Sequence, residues 1–389
     1  MKAVVIIPTY NEKGNIEKLI EVLEKEIFPD IKNYEMGILV VDDNSPDGTG
    51  EIVKDLMKKW KNLELITGKK EGLGAAYVRG MDHAISDMKA DVIFEMDADF
   101  FHDPKKIPEF LKKIDDGHDF VVGTRYSNGG SIPANWGMHR KFLSIVGNFV
   151  IRSILMRFYI HDWTGGYRAI KKEVFLKERE KIKKFKGYTF QVGFLLSAVE
   201  DGFKVAEIPF SATDRVAGRS KIPAGQTIFQ TLSFVIVARM IELVHSPFLK
   251  YAITGFVGYL INAVSLEVLS QAFSFHPLPA AAIAAEFSIV WNFIVNNFWA
   301  FGNQKITSPW KVLVKFPQFN LVSLGSLVLI TSTVFVGTHL FGNTTMARQV
   351  SLVIAIVLFV IPYSYSMYNI FIWKRWHIAS LSKLQKKLG

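Results

Sequence analysis

Several stretches of this chain set acidic, aromatic or basic side chains directly behind a short apolar run, which is where a buried strand would deliver them to a ligand. The first run ends in IIPTYNE (Ile6 to Glu12) and the second in VVDDNSPDGT (Val40 to Thr49). Asp43 or Asp42 can accept hydrogen bonds from a base or ribose, and Tyr10 can stack on a base. A purely structural account competes: Asn11 caps the next helix and SPDG forms a turn. The fourth run ends in FEMDADFFHDP, with Asp97 and Asp99 flanking Ala98. Residues two apart in an extended segment face the same side, so both carboxylates can meet one Mg²⁺ or Mn²⁺ that also takes diphosphate oxygens. Asp103 and Pro104 read as a helix cap and first turn, which leaves Asp97 and Asp99 without a structural purpose.

Basic residues follow. VVGTRYSNGG presents Arg125 behind a fifth run and GMHRKF presents Arg140; HDWTGGYRA (Asp162, Thr164, Arg168), GYTFQ (Gln191) and TDRVAGRSK (Asp214, Arg215, Arg219, Lys221) come later. Arginine and lysine opposite two acidic metal ligands suit phosphate-rich substrates. KEGLGAAYVRG lacks the spacing of a phosphate loop and reads as a helix start carrying Arg79.

Elements of matching length must hold these residues. Strand-like runs at Ala3 to Ile7, Gly37 to Val41, Leu63 to Thr67, Asp91 to Met96 and Phe120 to Gly123 alternate with amphipathic stretches such as Asn15 to Glu26 and Gly50 to Trp60. That alternation predicts an α/β, Rossmann-like, mostly parallel sheet with helices on both faces, and ligands outside the carboxyl ends of its strands. The first apolar run is too short for a secretory signal.

The last third of the chain differs. Mean hydropathy is +0.20 with 21% charged residues, and the two properties occupy different stretches. Of 46 Lys and Arg and 36 Asp and Glu in 389 residues, ten and two respectively fall after Ser246. The net charge of +10 therefore belongs mostly to the part that also carries four long apolar runs: Tyr251 to Phe273, Pro279 to Phe301, Phe319 to Phe341 and Val350 to Trp373. Each is long enough to cross a bilayer as a helix. Basic residues that punctuate apolar runs are not a nucleic-acid footprint. Lys305, Lys311 and Lys315 lie between the second and third runs, and Lys374, Arg375, Lys383, Lys386 and Lys387 follow the fourth, while the opposite loops hold only Arg348. The positive-inside rule then predicts an integral membrane protein with its N-terminal domain and C-terminus cytoplasmic. The segment from Thr227 to Ser246 reads either as a helix lying in the interface or as a buried last helix of the soluble domain. The expected domains are 1–226, a linking helix at 227–246, and four membrane helices at 247–389. With no cysteine, thiolate chemistry and disulfides play no part.

PTYNE, VVDDNSPDGT, the DxD strand end, GTRY, DWTGGYRA, GYTFQ and DRVAGRSK, in this order, resemble the family-2 glycosyltransferases of the GT-A fold, and more closely the dolichol-phosphate mannose synthases; NNFWAFGN and KFPQFNLVS resemble a GtrA-like membrane domain. The resemblance implies that Pro8, Tyr10, Glu12, Val41 and Asp43 hold a guanine nucleotide, that Asp97, with Ala98, contacts it near the metal, and that Asp99 binds the metal. It implies that Arg125 and Arg140 face a lipid phosphate and that Gln191, Arg215 and Lys221 contact the donor. The reaction implied is inverting transfer of mannose from GDP-mannose to a polyprenyl or dolichyl phosphate. A UDP-sugar hexose synthase and a lipid translocase, the latter drawn from Glu267 and Glu286 inside apolar runs, are the alternatives. A processive polymer synthase would carry QxxRW, which is not found. One departure stands out: the family commonly has Ser or Gln where this chain has Phe101, which cannot ligate a metal, so either water or His102 substitutes or the site is weaker or shaped differently.

Overall fold

The computed structural model describes residues 1–185, 187, 189–213, 224–342 and 344–373. Arg215 and Lys221, with Asp214, Arg219 and the basic tail from Lys374, lie outside the described residues. The chain divides into two compact units, the first ending at Arg239 and the second beginning at Met240.

In the first unit the elements run β1 (Lys2–Thr9), α1 (Ile16–Val22), β2 (Glu35–Asp42), α2 (Thr49–Lys59), β3 (Leu63–Thr67), α3 (Leu73–Ser86), β4 (Val92–Glu95), α4 (Ile107–Asp115), β5 (Phe120–Thr124), α5 (Met138–Leu155), β6 (Arg168–Lys171), α6 (Lys172–Ile182), α7 (Thr189–Glu200) and β7 (Val205–Pro209). Among the described residues the seven strands form one sheet in the order β3-β2-β1-β4-β6-β5-β7. All neighbours pair in parallel except β6, which is antiparallel to β4 and β5. The five strand-like runs are therefore strands, and β6 and β7 complete the sheet. β1, β2 and β4 are buried on both faces, which explains why they read as continuous apolar runs without alternation.

Two hydrophobic cores cover the sheet. One packs α1, α2 and α4 against one face and the other packs α3, α6 and α7 against the opposite face. The second core depends on Gly80 of α3: a Cβ there would lie 2.7 Å from Ile6 Cγ2 and 2.8 Å from Val41 Cγ2. The helix can approach β1 and β2 only because that atom is missing.

A single helix, α8 (Ala224–His245), leads to the second unit, whose helices are α9 (Pro247–Glu267, continuing to Ala272), α10 (Pro277–Val295, continuing to Ala300), α11 (Pro309–Phe341) and α12 (Thr345–Ile354, continuing to Ile372). Ser246 caps α9 by accepting a hydrogen bond from Leu249 N–H, with Pro247 in the first turn. Thr344 caps α12 through Ala347 N–H.

Two expectations need correction. By length and composition five helices among the described residues are apolar enough to cross a membrane, because Ile228–His245 of α8 qualifies beside the four expected. Part of that window faces protein, however: Thr231 and Val235 are buried, and Val235 lies in the second core with Phe234 and Ala238 packed beside it. The second correction concerns the basic loop before the third span. Lys311 and Lys315 lie on α11, which starts ten residues before the apolar run and at 33 residues is about 50 Å long. Apolarity marks the length that meets lipid and says nothing of helix beyond it. Glu267, near the end of α9, accepts a 2.6 Å hydrogen bond from Gln271, which accounts for it locally; Glu286 is exposed on α10.

One end of the second unit is closed by an aromatic and amide knot. Phe301 stacks on Trp373 at 4.2 Å and Phe319 on Tyr368 at 4.3 Å. Asn297 accepts from Trp373 Nε1 (3.0 Å) and from Ile306 N–H, and donates to Ile306 O. NNFWAFGN and the start of the third run thus serve packing.

Gly80→Ala should destabilise the first unit by about 1–3 kcal/mol through overpacking. A lower midpoint in thermal or urea unfolding of the full chain in detergent checks it; an unchanged midpoint would mean that α3 can retreat from the sheet.

Candidate active site

Loops at the carboxyl ends of β1 and β2 are tied together before any ligand arrives. Thr9 Oγ1 donates to Asp42 (2.8 Å), Asn11 N–H to Ser45 Oγ (2.9 Å), Glu12 N–H to Thr49 Oγ1 (3.0 Å) and Lys13 N–H to Asp47 (3.1 Å). Asp42 also receives Ser45 N–H and Oγ, so it is the structural carboxylate of the DD pair. Asn11 does not cap α1, since it adopts a left-handed φ of 60° and the cap position is Asn15. Glu12 accepts from Asn15 Nδ2 at 2.8 Å.

Asp43 pairs with Arg79 Nη2 at 2.6 Å. Burial raises its pKa and the Arg79 charge only partly opposes the rise. Arg79 reaches across Gly68, where a Cβ would lie 2.5 Å from its Cζ. The ring of Tyr10 carries Lys70 Nζ at 3.4 Å from its centre, which sets a cation beside the expected nucleotide position. Val41 is wholly buried against Gly80, Pro8 pairs with it in register, and Ala98 is a core residue.

The DxD segment is a turn and not an extended strand, because β4 stops at Glu95. Phe100 takes a left-handed φ of 62°, a costly conformation for a bulky residue. The reversal brings Phe101 N–H to Asp99 Oδ1 at 3.1 Å. His102 is buried and accepts the Asp97 N–H through Nδ1 at 3.0 Å. Through this bond His102 braces the turn. It stacks on Tyr167 at 4.9 Å. Among the described residues no group of three His, Asp or Glu is arranged to hold a metal. Two carboxylates with substrate phosphates and water nevertheless fit a hard divalent cation, and Asp97 is partly exposed.

Arg125 donates to Asp162 through Nε (2.7 Å) and Nη2 (2.8 Å), and Nη2 also reaches Thr164 Oγ1 at 3.1 Å. Asp162 is fully buried; burial alone would raise its pKa, but the charge and hydrogen bonds of Arg125 outweigh burial and hold it below the usual range. The loop carrying Asp162 is fixed in turn by Glu207 of β7, which accepts the N–H groups of His161 (2.6 Å) and Asp162 (3.1 Å). Arg140 is exposed in the first turn of α5, its Cζ lying 3.7 Å over the ring of Trp136.

Arg168 departs from expectation. It is fully buried, bonded to Gly165 O and Gln191 O, with Glu95 at 3.8 Å, and takes no part in a phosphate-facing cluster. Burial raises the Glu95 pKa to about 7 despite Arg168. The Gln191 side chain is buried without a hydrogen-bond partner among the described residues. Glu95, Glu207 and Trp136 were missed by sequence reasoning. Only Glu95 left a signal, an acid inside an apolar strand.

Residues 4–178 match the family described as glycosyl transferase family 2, and residues 250–373 match the GtrA/DPMS transmembrane domain. Among curated relatives, a dolichol-phosphate mannosyltransferase from Pyrococcus furiosus is 34% identical over 318 residues, 81% of this chain and 86% of that protein. The chain belongs to glycosyl transferase family 2. A polyprenol monophosphomannose synthase from Mycolicibacterium smegmatis is 38% identical over 223 residues, covering 57% of this chain and 81% of that one. Mannosyl-3-phosphoglycerate synthase from Rubrobacter xylanophilus, a solved structure, has a TM-score of 0.46 at 16% identity over 62% of this chain and 74% of that chain, too distant a likeness to say more. This member of the family is thus an integral membrane glycosyltransferase with a GT-A catalytic domain.

Arg125→Ala strands a buried carboxylate and should cost about 3–5 kcal/mol; Arg125→Ala with Asp162→Leu should recover most of the loss, as read by melting temperature. The pair also sets an acid limit. Because the folded-state pKa of Asp162 is depressed, its stabilisation is present above the unfolded carboxylate pKa and is lost as pH falls through the folded value. Asp162→Asn should flatten the fall of melting temperature with acid; an unchanged slope would count against the pair.

Proposed function

We propose that this enzyme transfers mannose from GDP-mannose to a polyprenyl or dolichyl phosphate with inversion at the anomeric carbon, at the cytoplasmic face of the membrane. The observation that carries the reading is the pairing of a two-carboxylate turn with held arginines in a chain that continues into a GtrA/DPMS membrane domain. The names of its relatives, a dolichol-phosphate mannosyltransferase and a polyprenol monophosphomannose synthase, support acceptor and sugar.

The acceptor phosphate is anionic at neutral pH, so the reaction needs no general base. A phosphate oxygen forms the new bond to the anomeric carbon as the bond to the nucleoside diphosphate breaks. Arg140 and the clamped Arg125 bring the acceptor into line, which supplies the proximity term directly. Asp43 and Tyr10 face the nucleoside, with Lys70 near the base or diphosphate. Gln191, Arg215 and Lys221 are assigned to the donor. Asp97 and Asp99 would hold Mg²⁺ or Mn²⁺, whose charge stabilises the leaving diphosphate. A membrane-borne acceptor gives the fusion of the two units its purpose. The lysines at 305, 311 and 315 favour a cytoplasmic end. Beyond Ala238, α8 has only seven residues before its end at His245, about 10 Å of helix, so we read it as lying against the catalytic unit and the interface, with four crossings.

Membranes carrying the protein, given labelled GDP-mannose or UDP-glucose and extracted for lipid-linked sugar, test the assignment. Mannose should enter the lipid fraction; faster transfer from UDP-glucose would reverse the choice of donor. Asp99→Ala should lower transfer by about 10²–10³-fold, the scale of losing a key electrostatic contact in a transition state. Lipid translocation that persists in Asp97→Asn/Asp99→Asn would favour a translocase instead.

A further inference from the structure

Phe101 occupies the middle of an aromatic series with an arginine at each end. Its ring stacks on Trp136 at 6.0 Å with planes 12° apart. Arg140 lies on Trp136 at 3.7 Å, and Arg125 lies 5.9 Å from the centre of Phe101. Phe210 and His102 meet Phe101 edge-on, so the ring is wedged in place. The same residue gives its backbone N–H to Asp99. One residue, through its backbone N–H and its ring, therefore joins the carboxylate turn to both arginines.

Arg140 sits where a cation is poorly placed. It lies in the first turn of an 18-residue helix whose start has no side-chain cap and no acidic residue, and the positive end of a helix dipole disfavours added positive charge. His139 and Lys141 flank it, although Lys141 Nζ is drawn back to Ala134 O at 2.7 Å. Stacking on a ring face offsets that repulsion and limits the rotamers of an exposed arginine, and it engages the flat face of the guanidinium and not its N–H edge. Trp136 is suited to this and costly otherwise, since its buried indole N–H has no hydrogen-bond partner among the described residues, a loss that a ring kept only for packing would avoid.

We propose that Trp136, backed by Phe101, is a positioning residue for the acceptor: the two stacked rings hold the Arg140 guanidinium ready for the phosphate of the lipid substrate. The inference rests on the reading of Arg140 as an acceptor-facing residue. Phe101 thus serves acceptor capture at the position where a polar side chain would have served the cation.

The test uses the full chain in lipid vesicles, with polyprenyl phosphate and GDP-mannose varied separately for Trp136→Ala, Trp136→Phe, Phe101→Leu, Arg140→Ala and Trp136→Ala/Arg140→Ala. Trp136→Ala should raise the acceptor KM about three- to tenfold, the range of a cation–π contact, with donor KM unchanged; Trp136→Phe should return it to within about twofold. Phe101→Leu should show a smaller rise of the same kind. In the Arg140→Ala background, Trp136→Ala should have no further effect on acceptor KM, because the two act as one unit. Equal changes in both KM values, or a Trp136→Ala effect that persists without Arg140, would overturn the positioning role. The underlying reading fails separately: if Arg140→Ala leaves acceptor KM unchanged while Trp136 and Arg140 still couple in melting temperature, the stack is real but Arg140 does not serve the acceptor.

Discussion

A carboxylate that never meets water fixes one side of this site. Asp162 is buried completely, and such a charge persists only if it is matched by a partner of good geometry. Arg125 supplies two side-chain hydrogen bonds and one from its own N–H, so the guanidinium is held by the cost of leaving Asp162 alone. Glu207, at the edge of the sheet, holds the backbone of the Asp162 loop. Strand β7 thereby sets the position of an arginine that follows strand β5, although the two residues are 82 apart in sequence.

The side formed by the β1 and β2 loops is built differently. There the β1 and β2 loops are laced by backbone N–H groups bonded to side-chain oxygens of Ser45, Asp47 and Thr49. Such bonds are individually modest, about 1 kcal/mol each, but they order both loops without a bound ligand. Asp43 is the acid of its pair left facing Arg79, and its raised pKa follows from burial. Loops laced in advance and an arginine anchored from behind fix their groups before a ligand arrives, and such fixed placement is what the proposed reaction, governed by alignment, requires.

The strands that lie in the sheet interior were legible because continuous apolar runs report burial on both faces, and the motif positions were legible because strand ends in such sheets expose ligands. β6 and β7 were not, since β6 (RAIK) begins with a basic residue and ends with one and β7 (VAEIP) carries Glu207 and ends in proline, so neither offers a continuous apolar run. Arg168 was misread for a physical reason: arginine is rarely buried, and nothing local in GGYRA shows that Glu95 lies behind it. Asp99 lies in a turn beyond the end of β4 and not in an extended segment, because the backbone reverses at Phe100 with a left-handed φ that a bulky residue type gives no reason to expect. The stack of Trp136 on Phe101 joins residues 35 apart and has no sequence signature at all.

Phe101 ties the carboxylate turn to both arginines. On the proposed reading, a cation held by Asp97 and Asp99, with no group of three His, Asp or Glu among the described residues to hold it, would take water and substrate phosphate oxygens at its remaining positions. The ring of Phe101 is packed between Trp136 and the edges of His102 and Phe210, and His102 in turn receives the Asp97 N–H. Close packing holds such a series in place, so the turn of chain that carries Asp97 and Asp99 also supports the ring beneath Arg140.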